Sequence, residues 1–217
     1  RVLVTGMLQP VILPIRQRLE QANRGADYVY FPETGLASVI VKSPRCDTIE
    51  SGIIGSDGMT GVAAILAVDR PTHEIVVQLR GNGYRMSAAA FREALDRSRA
   101  FDLACRRYVH SFLIQTSYTA LANGRNNIEQ RLARWLLMAQ DRAGTDDLVL
   151  THDLLAMMLG VRRAGVTLSI SLLQRAGLVQ HGFVVRLDDA AVGGRGALVV
   201  LADGPAVGGE RVGMELA

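Results

Sequence analysis

Before about residue 90 the chain runs in short apolar segments separated by turn residues, and beyond that point the punctuation largely stops. Residues 28–31, 36–41, 49–54 and 74–79 are rich in β-branched or aromatic side chains. Between them lie Pro32-Glu33-Thr34-Gly35, Ser43-Pro44-Arg45, Ser56-Asp57-Gly58 and Arg80-Gly81-Asn82-Gly83, clusters whose residues favour turn dihedrals. Many short strands at near-regular spacing predict a small antiparallel barrel or roll. From Ser87 the period becomes helical. One helix is expected over 87–97, ending near Ser98, and a longer one over 99–122. In the longer helix Phe101, Ala104, Cys105, Tyr108, Phe112, Gln115, Thr119 and Ala122 form one stripe at steps of three and four. About two dozen helical residues extend about 36 Å at 1.5 Å each, longer than a small roll needs for cover. The stripe is therefore expected to pair with a second copy of itself; packing along the roll is the alternative. A polar stretch, 123–127, reads as a hinge. Residues 128–142 form the next amphipathic helix, with Ile128, Leu132, Trp135, Leu136 and Ala139 inward, and a loop over 143–147 leads to a strand at 148–150.

The segment 151–179, THDLLAMMLGVRRAGVTLSISLLQRAGLV, carries the most specific pattern. Thr151 is placed to N-cap a helix with Leu154, Leu155, Met158 and Leu159 at helical intervals and Asp153 in the first turn, where the helix dipole favours an anion. Gly160 stops it. A second run, Val161, Val166, Ile170 and Leu173, continues to Gly177, which suits a left-handed C-terminal cap. Two helices that cross closely need a small residue at the contact, a turn residue tolerant of unusual dihedrals and an apolar anchor facing back; Ala156, Gly160 and Val166 fill those places. This is the spacing of a helix-turn-helix. Its second helix opens with Arg162 and Arg163, where side chains meet base edges in a major groove, and an arginine bonds bidentately to guanine O6 and N7. The DNA-facing set is Arg162, Arg163 and Thr167, with Thr151 and Ser169. An ordinary helical hairpin with a solvated basic end is the competing interpretation.

Composition changes this picture little. The 217 residues suffice for one large or two modest domains, and the net charge of +3 is too small to indicate nucleic acid by itself. Between 125 and 175 seven arginines stand against five acidic residues, so binding depends on where the arginines point. Lys42 is the sole lysine beside 23 arginines, a skew that suggests a GC-rich coding genome. No apolar run approaches a membrane span, and the opening RVLVTGMLQP lacks a signal peptide's apolar core and cleavage site, which gives the expectation of a cytoplasmic protein with no membrane partner; without an initiator Met, residues preceding Arg1 are expected. Cys46 and Cys105 have no neighbouring Cys or closely spaced His, so no metal-ligand set is expected. No catalytic residues are assigned: there is no nucleophile motif, HExxH or P-loop, Gly81-Asn82-Gly83 lacks the rest of a dinucleotide site, and Asp146-Asp147 reads as a solvated turn.

A β-roll, a long helix, a hinge, then helix, strand and helix-turn-helix is the order of the Crp/Fnr transcription regulators, which the chain resembles over about residues 8–180. The markers are Val29-Tyr30-Phe31-Pro32 with Gly35, Gly55-Ser56-Asp57-Gly58-Met59-Thr60-Gly61, Glu129-Gln130-Arg131-Leu132-Ala133-Arg134-Trp135-Leu136, and Leu159-Gly160-Val161-Arg162-Arg163-Ala164-Gly165-Val166. The resemblance implies an α+β protein: an antiparallel, cyclic-nucleotide-binding-like β-roll over 1–98, a dimerisation helix over 99–122 and a winged helix-turn-helix over 123–217. It implies double-stranded DNA and a second copy of the chain as partners, with RNA polymerase a further one for an activator. The family's base-reading arginine falls on Arg163, while Ala164 replaces the glutamate that often follows and would accept from cytosine N4.

The effector part is degenerate. In cyclic-AMP-binding members an arginine followed by serine, backbone amides and a glutamate hold the nucleotide; here the arginine matches Arg70, Pro71 stands in the serine place and cannot donate a backbone hydrogen bond, and Asp57 is the nearest carboxylate. Thr116-Ser117 matches a pair that meets the purine. The cofactor is thus unknown, with a cyclic nucleotide one candidate, an unidentified small ligand a second, and no ligand a third. His73 or His110 would be needed for haem, and each reads better as a surface or structural residue. The wing is expected from residues 183–187 and 197–201 across Gly193-Gly194-Arg195-Gly196, with His181 facing solvent and a Gly-, Ala- and Val-rich tail beyond. The alternative function is a ligand-binding module of cyclic-nucleotide type whose helical C-terminal region serves protein contacts rather than DNA.

Overall fold

The computed structural model describes residues 2–44, 48–143, 145, 147–181 and 185–187. A single turn, α1 (Val2–Thr5), precedes β1 (Gln9–Leu13), β2 (Arg18–Glu20), β3 (Tyr28–Pro32), β4 (Leu36–Lys42) and β5 (Thr48–Ile54); the short α2 (Val62–Ile65) follows, then β6 (Glu74–Leu79) and β7 (Gly81–Ser87). These strands form two antiparallel sheets, ordered β1-β7-β3 and β2-β6-β4-β5, and make the roll expected from the turn spacing. Strand alternation sorts its side chains. Ala37 and Val39 of β4 point inward with Leu13, Tyr30, Ile54 and Ile75, while Leu36 and Ile40 point outward and are also buried. A strand covered on both faces reads as a continuous apolar run, as Leu36-Ala37-Ser38-Val39-Ile40-Val41 does.

Two serines punctuate the helices. Ser87 caps α3 (Ala88–Arg97) by accepting from the Ala90 amide at 3.2 Å. Ser98 ends α3 and caps α4 (Arg99–Arg125), accepting from the Phe101 amide at 3.3 Å. The long helix thus runs three residues past its expected end, through Asn123, Gly124 and Arg125. The break falls where Asn127 and Gln130 exchange bonds of 2.9 and 3.0 Å between side chain and backbone amide, a capping box that fixes the next helix start. A helical Gly costs only about 1 kcal/mol relative to Ala, which a 27-residue helix tolerates.

The stripe assigned to self-pairing packs on the roll instead. Tyr108 donates to the Met59 carbonyl at 2.7 Å; Gln115 accepts from the Ile53 amide at 2.7 Å and donates to the Ile53 carbonyl at 3.1 Å. The close approach needs Gly52, where a Cβ would lie 2.8 Å from Gln115 Oε1 and 2.9 Å from the Phe112 ring. Cys105 is buried in the same layer, and burial pushes its thiol up to about 12. Helical spacing alone does not tell a roll-facing stripe from a partner-facing one. The opposite face of α4 carries the exposed Leu103, Leu113 and Leu121, with Leu113 60% accessible.

After α4 come α5 (Ile128–Ala143), β8 (Asp147–Leu148), α6 (His152–Leu159), α7 (Arg163–Arg175), β9 (Val179–His181) and β10 (Val185–Leu187). β10 lies between β8 and β9, so the described part of the expected 183–187 strand pairs with β8 and with a strand that begins at Val179, separated from the last helix by three residues. The strand expected at 197–201, the tail and Cys46 lie outside the described residues. The outer face of the β4–β6 sheet and the helices α5 to α7 share one core, in which Leu36, Ile40, Ile53 and Leu79 meet Leu132, Trp135, Leu136, Leu155, Met158, Val166 and Ile170.

Candidate nucleic-acid interface

The helix-turn-helix forms as the spacing predicts. Thr151 accepts from the Leu154 amide at 3.1 Å and so caps α6. Gly160 ends it at φ 62°, with its own amide on Met157 O at 3.2 Å and the Val161 amide on Ala156 O at 3.0 Å, the pair of bonds that defines a Schellman stop. A Cβ there would meet Ile49 Cδ1 at 3.3 Å as well as a left-handed backbone. Arg131 of α5 donates to the Leu159 carbonyl, closing another free acceptor at the helix end. The chain then turns by 107° into α7, within the range of such motifs. Val166 is fully buried as the anchor, with Ile170 and Leu173 behind it.

Opposite that buried arc α7 faces solvent. Arg162 and Arg163 are exposed at its start, and Arg163 keeps a loose contact with Asp153 at 3.5 Å, its side chain 67% accessible. An ion pair that open contributes little and leaves the guanidinium available. Thr167 is exposed and shares its hydroxyl between the Arg163 carbonyl at 3.1 Å and the His152 ring at 2.9 Å; His152 was not foreseen. Thr151 is exposed as well as capping. Ser169 does not belong to this face. It is 1% exposed, and its hydroxyl donates to Glu129 of α5 at 3.3 Å, because it falls on the same helical arc as Val166, Ile170 and Leu173. A cleft of about 580 Å³ separates the β4–β5 hairpin, at Val41, Ser43, Thr48 and Ile49, from the turn at Met157, Gly160 and Val161.

Residues 130–191 match the family of Crp-like helix-turn-helix domains. The whole fold recurs in solved structures of low identity. FixK2 from Bradyrhizobium japonicum has a TM-score of 0.76 at 15% identity, covering 92% of this chain and 99% of that one. A CRP/FNR-family transcriptional regulator from Thermus thermophilus gives 0.68 at 19%, covering 90% and 99%. The c-di-GMP-responsive global regulator CLP of Xanthomonas campestris gives 0.65 at 17%, covering 85% and 96%. No curated protein matches the sequence. Residues 130–191 are thus a Crp-like helix-turn-helix domain, and the chain as a whole has the fold of Crp/Fnr regulators.

The residues matched to an effector site each take a partner within the chain or face solvent. Asp57 is turned to Arg142 of α5, with Nη2 to Oδ2 at 3.0 Å. Arg70 is exposed beyond α2. Thr116 and Ser117 each donate to the carbonyl four residues earlier, both at 2.9 Å. The carboxyl at the roll's turn before α2 is Glu20 of β2, 3% exposed, which accepts from the Gly61 amide at 2.5 Å; His73 lies 3.6 Å from its other oxygen. An acceptor already seated on that amide opposes an anionic ligand there. His110 is exposed on α4.

Sequence reasoning also missed a buried polar junction. Trp135 Nε1 donates to Glu50 Oε1 at 2.6 Å, Ser38 donates to Glu50 Oε2, and the Ser38 oxygen lies 3.2 Å from Met158 Sδ. Burial pushes the Glu50 carboxyl up to about 8, against the lowering effect of Ser38, Trp135, Arg134 and Arg142. The available signal was a glutamate inside an otherwise apolar strand.

Proposed function

We propose that the chain is a Crp/Fnr-type transcription regulator that acts as a homodimer on a palindromic operator, with one α7 in the major groove of each half-site. The observation that carries this is the exposed Arg163 at the first residue of α7, directly after the 107° turn. Arg163 reads guanine, Arg162 and Thr167 assist it, and Thr151 contacts a phosphate. Dimerisation uses the face of α4 that carries Leu103, Leu113 and Leu121, which is apolar and turned away from the roll; two-fold symmetry then sets the recognition helices about 34 Å apart, one DNA turn. A signal in the roll shifts the population of dimer geometries, and the core common to the β4–β6 sheet and α5–α6 carries it. Contact with RNA polymerase follows only if the protein activates.

Selection of bound sites from random duplex DNA, with and without cyclic AMP, tests this reading. An enriched palindrome without nucleotide is the expected result, given Glu20 on the Gly61 amide and Pro71 after Arg70. Enrichment only with nucleotide would restore the Arg70 and Thr116 site. No enrichment in either arm, or a strict monomer on crosslinking at micromolar concentration, would remove the proposal.

A further inference from the structure

The outward face of α7 is more apolar than a surface that meets only phosphates needs to be. At 3.6 residues per turn, Ala164, Leu168, Ser171 and Arg175 fall opposite the buried Val166, Ser169, Ile170 and Leu173. Leu168 is at the centre of that face and is 61% exposed. Isolated exposed leucines on a protein surface are unremarkable in general; Leu172, one turn further along α7 and 42% exposed, flanks the same face. Leu168 stands five residues after Arg163 on the helix that carries the proposed base-reading arginine, so a groove that encloses the start of α7 covers both.

Leucine has no donor or acceptor to offer a base edge. Against guanine, adenine or cytosine it would strip water from polar edge atoms and return nothing, a desolvation cost without compensation. Thymine alone presents an apolar group in the major groove, its C5 methyl. We infer that Leu168, flanked by the small Ala164, is a specificity-determining residue that packs on a thymine methyl in each operator half-site. Five residues of helix rise separate it from Arg163, roughly 7.5 Å at 1.5 Å per residue, or about two base steps at 3.4 Å. The thymine therefore lies about two steps from the guanine that Arg163 contacts. This inference rests on the DNA reading proposed above and adds a base to it.

The test uses the full chain and the operator recovered by selection. Each recurrent thymine is replaced in turn by deoxyuridine, which removes the methyl and nothing else, and affinity is measured for the wild type and Leu168→Ala. One thymine per half-site is expected whose replacement weakens the wild type about 4-fold, the equivalent of about 0.8 kcal/mol for one buried methyl, and leaves Leu168→Ala unchanged. Because Leu168 is exposed, the variant keeps its fold, which an unchanged unfolding midpoint and an unchanged salt slope of binding verify. Uracil tolerated at every position, or an equal loss in both proteins, overturns the inference while leaving the DNA reading intact. If the wild type selects no site, the reading and the inference fall together.

Discussion

The recognition helix and the turn of the roll before α2 were both recognisable by motif, yet they present opposite surfaces. On α7 the polar residues at the start point outward, and the one ion pair, Arg163 to Asp153, is open to water. Around the roll the corresponding groups already have partners within the chain, except the exposed Arg70: Glu20 accepts from Gly61, Asp57 pairs with Arg142, and the Thr116 and Ser117 hydroxyls are bonded within α4. One region has kept its groups for a partner; the other has used them internally. The outer face of the β4–β6 sheet is likewise covered, by α5 to α7. The difference suggests that the roll acts on DNA binding through packing more than through a phosphate-binding pocket.

The strongest way to break this view is to loosen that packing. Trp135 is buried between α5 and the β4–β6 sheet and donates to Glu50. Trp135→Ala creates a cavity and leaves Glu50 short of a donor, so a loss of about 3 to 5 kcal/mol in unfolding free energy is expected, measured by denaturant titration. A single unfolding transition shared by probes in the roll and in the helix-turn-helix is expected for the wild type; two separated transitions would show that the two parts are not one packed unit.

The next effect belongs to the open surface. Arg163→Ala should cost about 1 to 3 kcal/mol per half-site and relax the sequence preference, with stability unchanged because its side chain is exposed. Affinity for the selected operator, compared at fixed salt, checks it. An unchanged affinity would mean that another residue reads the base.

How far the sequence could be read follows from how far apart the partners are. The cap at Thr151, the stop at Gly160 and the anchor at Val166 lie within sixteen residues and obey helical spacing, so all three were legible. Glu20 and Gly61 are 41 positions apart, Glu50 and Trp135 are 85 apart, and no local period connects such pairs. The α4 stripe lies between these cases. Its period was visible, but two apolar surfaces can satisfy a stripe, and only the approach of Phe112 and Gln115 to Gly52 shows which one does.

A subtler test uses the junction's titration. Burial raises the Glu50 carboxyl from 4.5 to about 8 in the folded protein, so the folded state binds a proton that the unfolded chain releases earlier. For a raised folded value the contribution to stability is fully present below the unfolded pKa and is lost as pH rises toward about 8. Glu50→Gln keeps an acceptor for Trp135 and carries no titration. Urea midpoints of the wild type should therefore fall relative to those of Glu50→Gln as pH goes from about 5 to about 8. Parallel profiles would show that Glu50 is not neutral in the fold.

The smallest expected effect distinguishes the two sides of α7 directly. Ser169 and Thr167 are both hydroxyl residues in the middle of the recognition helix, two positions apart, and local composition does not separate them. The bond from Ser169 to Glu129 at 3.3 Å is long, so Ser169→Ala should cost no more than about 1 kcal/mol in stability. It should leave operator affinity unchanged, since the side chain is 1% exposed. Thr167→Ala reverses that pattern: Thr167 is exposed, and its loss should weaken operator binding with little change in unfolding. If Ser169→Ala instead weakens binding at constant stability, α7 must rotate on DNA so that its present inner arc reaches the groove, and the contrast between an open helix and a closed roll would no longer hold.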